Sequence, residues 1–225
     1  MDHIAFDMGS REWNRVRRAI HFASRATGAT EPNDVIIVSI IDFINGPALN
    51  LTGTNNYALH EATIGGLPLA LMNDKPKDFD YAFPHAFLTV RDAKFLASWR
   101  PSTPTVTITL SNEGPVKVGP SGDSHAVSVP HSARPITNWE RISEKVFKAD
   151  ISHMGWTGHG HFNPGLLADA FAGIKAAAPE AQPEVSLPTH GRGTLIIDAQ
   201  PNLCRYRAAI APIVQHFGLN VTVGA

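Results

Sequence analysis

A single cysteine, Cys204, stands in the 225 residues. No internal disulfide can form, which fits a reducing cytoplasm, and the expected place for this residue is buried in a strand. No apolar run reaches the roughly 20 residues that span a bilayer as a helix. The opening MDHIAFDMGSREW has neither the basic start nor the apolar core of a secretory leader, so the expectation is a cytoplasmic protein with no membrane partner. A G-x-G-x-x-G turn, a Walker loop and a G-x-S-x-G elbow are all missing, which leaves nucleotide and serine-hydrolase chemistry without a motif. Basic and acidic residues nearly cancel, 19 against 20, and that excludes coating of DNA by bulk charge. What remains is a chain with 43% hydrophobic content, long enough to bury a sizeable core in one large or two small domains.

Three stretches share one pattern. Phe6, Phe87 and Phe162 each lead into a helical segment, at residues 11–27, 90–99 and 164–177. Each helix is followed by a tail in which a hydrophobic strand, a polar turn and two more strands can be laid in register. The helix starts lie about 80 and then about 73 positions apart, longer than a solenoid repeat, so the unit is a half-domain that packs on a neighbouring copy. The fold class expected is α+β, with residues 1–142 holding two units and residues 143–225 a third.

Charge is unevenly placed on these helices. At 100° per residue, Arg15, Arg18 and Arg25 fall within about 40° of Arg11, while Trp13, Val16, Ala19, Ile20, Ala23 and Thr27 gather opposite. Ser10 is the expected N-cap and Gly28 the expected stop. Arg91 and Lys94 open the second helix, with Ser98 on the same side; the third has Asn163 as N-cap, Pro164 in its first turn and Lys175 alone as a cation. Most charged helix faces are merely solvated. A solubilising face, however, interleaves Glu with Lys or Arg at i,i+4, and the sequence supplies no such acid beside Arg11, Arg15, Arg18 and Arg25. The economical partner of a local basic surface is a nucleic-acid backbone.

The residues then resemble a known family, the bacterial DNA polymerase III β sliding clamp, the processivity factor of the polymerase. AIHFASRATG, a strand pair and LNLTGTNNYALHEATI are similar to the clamp's helix, strands and L-x-L-x-x-T-D-G-x-R-L-A turn; Thr54 holds the threonine, and Asn55, Asn56 and Ala58 stand where the family usually has Asp, Gly and Arg. FPHAFLTVRDAKFLASW resembles the second clamp helix, VKVGPSGDSHAVSVP the paired strands after it, and PITNWERI the F-P-D-Y-R-R-V-like connector. HFNPGLLADAFAGIKAAAPEAQPEVSL with RYRAAIAPIV is similar to the closing half of the last clamp domain. A bacterial subunit carries three domains of two units each. Here a full domain is joined to half of another, the missing part falling between Ile142 and Ile151.

The resemblance implies a curved sheet of repeated units with helices on the concave side, encircling double-stranded DNA. It implies no enzyme activity and no cofactor. Arg11, Arg15, Arg18, Arg25, Arg91 and Lys94 would face phosphates. A hydrophobic pocket for peptides of DNA polymerase and other clamp-binding proteins would use Thr54, Tyr57, Leu59, Pro135, Ile142, Ala209, Ala211, Pro212 and Ile213. A clamp loader would be a further partner, and the chain would be a homo-oligomer: four chains if a twelve-unit ring is kept, three if it closes like viral clamps of this length. Leu59, Ile142 and Ile213 read equally well as ordinary core.

Two rivals stay open. A clamp-like decoy or regulator that binds replication proteins would carry the same residues. A metal-dependent enzyme could use His153, His159 and His161 with Asp150, because His-x-His puts two imidazoles on one side of a strand. Trp13 and Trp99 read as core anchors of the first two helices rather than ligand contacts.

Overall fold

The computed structural model describes residues 3–29, 33–44, 46–68, 84–100, 105–111, 117–120, 147, 161–186 and 194–213. In chain order these form β1 (His3–Gly9), α1 (Ser10–Ser24), β2 (Val35–Phe43), β3 (Gly46–Thr54), β4 (Ala58–Ile64), β5 (Pro84–Thr89), α2 (Val90–Ser98), β6 (Thr105–Ser111), β7 (Lys117–Pro120), α3 (Pro164–Ala177), β8 (Glu184–Ser186), β9 (Leu195–Ala199) and β10 (Cys204–Ile210). The α+β class follows from the sequence as expected. The segment between Ile142 and Ile151 lies outside the described residues, apart from Phe147.

Besides the strand pairs within each repeat, three pairs cross between repeats. β1 pairs antiparallel with β6 and not with its own unit, placing Phe6 opposite Ile108. β5 returns the exchange by pairing with β2, with Phe87 opposite Ile37. Each of the first two units therefore lends the strand before its helix to the other's sheet. Among the described residues the result is a three-stranded sheet, β1-β6-β7, and a seven-stranded one, β5-β2-β3-β4-β10-β9-β8. The β4–β10 pair, with Arg207 opposite Glu61, carries the first unit's sheet into the third unit's.

The strands are built from period-two burial. In β2, Ile36, Val38 and Ile40 face the main core beneath the helices, while Val35 and Ile37 pack with Phe87 on the other side. α1 buries Trp13, Val16, Ala19, Ile20, Phe22 and Ala23, the stripe its sequence predicts. Cys204 opens β10 and is buried.

The helix ends correct two expectations. Gly9, not Ser10, is the N-cap of α1, and no side chain caps it; Ser10 is already helical. The helix ends at Ser24, three residues before Thr27. Arg25, Ala26 and Thr27 donate their N–H groups to the carbonyls three residues back, at 3.2, 3.2 and 3.3 Å, so the last turn tightens. Gly28 is not the stop: its N–H reaches Asn33 O at 2.6 Å. This end lies hard on β3, where a Cβ at Gly53 would run into the Ala23 carbonyl oxygen. α2 starts at a Thr89 cap that accepts from Asp92 N at 3.1 Å. α3 starts where its sequence signals place it, with Asn163 Oδ1 accepting from Gly165 N at 2.8 Å and Leu166 N at 3.4 Å.

Candidate nucleic-acid interface

α1 packs against both α2 and α3, and short contacts fix it on both sides. Trp13 meets Trp99 edge-to-face at 5.5 Å and 78°, its indole N–H pointing to Trp99 O at 3.4 Å, which bears out both tryptophans as helix anchors. Arg17 Nε donates to Ala97 O at 2.8 Å. On the α3 side, Gly173 lets the helices close, since a Cβ there would lie 2.8 Å from Phe22 Cδ2.

The arginine stripe emerges on the surface of this helix layer. Arg11, Arg18, Arg91 and Lys94 are exposed, and Arg15 and Arg25 are half-buried. Arg11, Arg15 and Arg18 make no ion pair with any described residue. Among the described residues Arg15 Nη1 has only the Cys204 sulfur, at 3.8 Å. Arg25 departs from the expectation that the stripe lacks acidic partners, because it pairs with Asp169 of α3 at 3.1 Å. That acid comes from 144 residues away, beyond any i,i+4 reading.

Two further cations join the surface. Arg17 lies outside the stripe in angle, yet its pKa is lowered, by burial first and then by the charges of Arg100 and Arg18. Arg100 follows α2 in the sequence and is exposed. The charges of Arg18 and Arg100 thus act on Arg17 across the α1–α2 boundary. A helical wheel of one helix at a time does not show it, because the cluster forms only when α1 and α2 meet.

Of the expected peptide-pocket residues, Tyr57, Ala211, Pro212 and Ile213 come together. Ala211 N donates to Tyr57 O at 2.8 Å, and Tyr57 and Ile213 are 68% and 48% exposed. Thr54 shapes the turn beneath them, donating to Ala58 O at 3.0 Å. Asn56 takes the left-handed conformation, φ 72°, at the position where the resembled turn carries glycine. Leu59 and Ala209 sit opposite each other in the β4–β10 ladder, packed with Phe147 and Ile196 in a core cluster. Pro135 and Ile142 lie outside the described residues, as do Asp150, His153 and His159. His161 is exposed and uses its carbonyl to accept from Ile213 N at 2.7 Å. Among the described residues no three His, Cys, Asp or Glu side chains form a group that could hold a metal ion, and no helix is long and apolar enough to cross a membrane.

Under α1 lies one titratable group that sequence reading did not single out. His60 on β4 stacks on Phe22 at 4.7 Å and 12°. Its Nδ1–H donates to Phe22 O at 3.0 Å, which leaves Nε2 buried with no partner among the described residues. Protonation would bury an unpaired N–H, and burial holds the imidazole at about 4, below its ordinary 6.5, against smaller raising effects of the Phe22 carbonyl and Asp169. The unfolded chain therefore binds the extra proton first. Stability is complete above pH 6.5 and is lost as pH falls toward 4, by about 3 kcal/mol in all. Urea unfolding at about pH 7.5 and about pH 5 should show about 2 kcal/mol of this loss in the wild type and a smaller one in His60→Gln.

No protein-family model matches the sequence, and no curated protein matches it. Solved structures do. The β subunit of DNA polymerase III from Thermotoga maritima superposes with a TM-score of 0.55 at 11% identity, covering 95% of this chain and 65% of that one. The Pseudomonas aeruginosa sliding clamp bound to griselimycin gives 0.56 at 10% identity, covering 94% and 65%. A. fulgidus PCNA, solved with the C-terminal region of FEN-1, gives 0.52 at 11% identity, covering 94% of this chain and 99% of that one. The chain thus spans about two thirds of the length of the bacterial clamps and nearly all of the archaeal one. With its repeated helix-and-strand units and its helices layered on shared antiparallel sheets, the chain has the fold of the DNA sliding clamps.

Proposed function

We propose that the chain is a sliding-clamp subunit, a processivity factor that holds duplex DNA against the surface of α1 and α2 and tethers its clients elsewhere. The observation that carries this reading is the set Arg11, Arg15 and Arg18, presented on successive turns with no ion pair to any described residue. Guanidiniums left in this way attract phosphates without reading bases, so the duplex is retained yet can slide. Arg17, Arg91, Lys94 and Arg100 extend the same surface. Arg25, committed to Asp169, contributes less. The exposed Tyr57 and Ile213 beside Pro212 offer the apolar ground on which a client peptide would dock, with DNA polymerase as the first candidate. A clamp of this kind catalyses nothing, and its ring requires several chains.

Replacing Arg11, Arg15 and Arg18 together by glutamine is expected to leave the fold intact and to weaken duplex binding most at low salt. The slope of log affinity against log salt should fall by about 0.9 for each phosphate that is no longer neutralised. Unchanged affinity and slope count against the DNA reading. Light scattering at micromolar concentration supplies the second check: an assembly of several chains is expected, and a strictly monomeric protein would favour a clamp-like regulator over a ring.

A further inference from the structure

The arginine face is not a smooth surface. Along α1 it borders a cleft of about 360 Å³, closed on the far side by the end of α3 and by the turn that feeds β10. Arg11, Arg15 and Arg18 line one wall, Glu180 stands on the other, and Cys204 and Tyr206 form part of the lining. The size suits a small anion or the phosphate end of a nucleotide.

The polar groups of the cleft are poorly matched as they stand. Among the described residues Arg15 Nε is buried with no acceptor, and its Nη1 has only the sulfur at 3.8 Å. Arg18 Nη1 reaches Ala177 O at the long distance of 3.5 Å. Burial raises the pKa of both Cys204 and Tyr206, so both stay neutral and supply no counter-charge. Glu12 and Glu180 lie in the lining without forming an ion pair to these arginines. A buried guanidinium N–H without an acceptor is costly. What satisfies several guanidiniums at once is a group with oxygens in more than one direction, which a phosphate has.

We propose that this cleft is a seat for a phosphate group, held by Arg15 within the cleft and by Arg11 and Arg18 at its edge. A phosphodiester of nucleic acid and the phosphate of a free nucleotide would supply the same oxygens. Since the arginines are shared, the seat deepens the DNA-binding reading above, while resting on the cleft geometry rather than on ring closure.

The test follows the Arg15 Nε–H signal by NMR in the full chain. Inorganic phosphate, adenosine monophosphate and a short blunt duplex are titrated in turn, each against sodium chloride at equal ionic strength. The expected result is a saturable shift with phosphate that chloride does not produce. Affinity, followed in the variants by the Arg18 Nε–H signal at the edge of the same cleft, should weaken about tenfold or more in Arg15→Gln and stay unchanged in Lys117→Gln on β7. If the duplex moves the same signal and phosphate competes with it, nucleic acid is the source. If phosphate and the nucleotide bind but the duplex does not, the seat stands and the DNA reading falls. No saturable shift with any probe overturns the seat, also where Arg15→Gln fails to fold. Duplex binding that survives Arg15→Gln but is lost in Arg91→Gln overturns it too, while leaving the DNA reading intact.

Discussion

Trp13→Ala is expected to lower the unfolding free energy by about 4 kcal/mol, in the range for removing a buried aromatic from a packed core. Trp13 is 2% exposed and is the link between α1 and α2 through its edge-on contact with Trp99. Its removal leaves a void next to a second large ring, and the indole N–H bond to Trp99 O goes with it. Neither short helix gains from collapsing into that space, because α1 is held from below by Val16, Ile20 and Phe22. Trp13→Phe keeps most of the volume and should cost far less, about 1 to 2 kcal/mol. Urea denaturation of both variants checks this, with the slope unchanged if only the native packing is altered. A loss below about 1 kcal/mol in Trp13→Ala would mean that the tryptophan pair does not hold the helices together. Loosening α2 from α1 should also disperse the Arg17, Arg18 and Arg100 cluster, so weaker duplex binding is expected to accompany the loss of stability.

The local parts of this fold were legible in the sequence. Asn163 and Pro164 mark the start of α3 because a side-chain cap and a fixed φ are local chemistry, and the apolar stripe of α1 is a property of one helix. The end of α1 was misread for a physical reason. Gly28 looks like a stop, but the helix tightens at Arg25 to Thr27, where the Ser24 and Thr27 hydroxyls donate to His21 O and Ser24 O and β3 closes on Ala23 at Gly53. Strand exchange was invisible: nothing in β1 says that it pairs with β6, about 100 residues on, because both partners are equally apolar strands. The candidate site divides in the same way. Exposure of Arg11 and Arg18 follows from periodicity, whereas Arg25's ion pair, the part of Arg17 and Arg100, and the orphaned Arg15 Nε are created by elements that meet only in the folded chain.

Arg207→Ala is expected to destabilise the protein by about 3 kcal/mol or more, the scale for breaking a buried ion pair from one side. Arg207 of β10 faces Glu61 of β4 in the ladder, with Nε donating to Oε1 at 3.1 Å and Nη2 to the same oxygen. The Glu61 side chain is 3% exposed and that of Arg207 17%, so water screens the pair little. The guanidinium also lies over the Phe147 ring at 4.1 Å, and the substitution removes both its charge and that cover. Replacing Arg207 and Glu61 together by leucine should recover part of the loss, because neither charge of this pair is then buried without the other. Equal destabilisation by the single and double changes would show that packing around Phe147, not charge, decides the outcome. The position matters because β4–β10 joins β5-β2-β3-β4 to β10-β9-β8. Weakening it lets the third unit move away from the first, and α3 with the turn before β10 moves with it. The far wall of the arginine cleft is then displaced from Arg15, so under native conditions Arg207→Ala is expected to weaken phosphate binding there while the double leucine variant restores part of it.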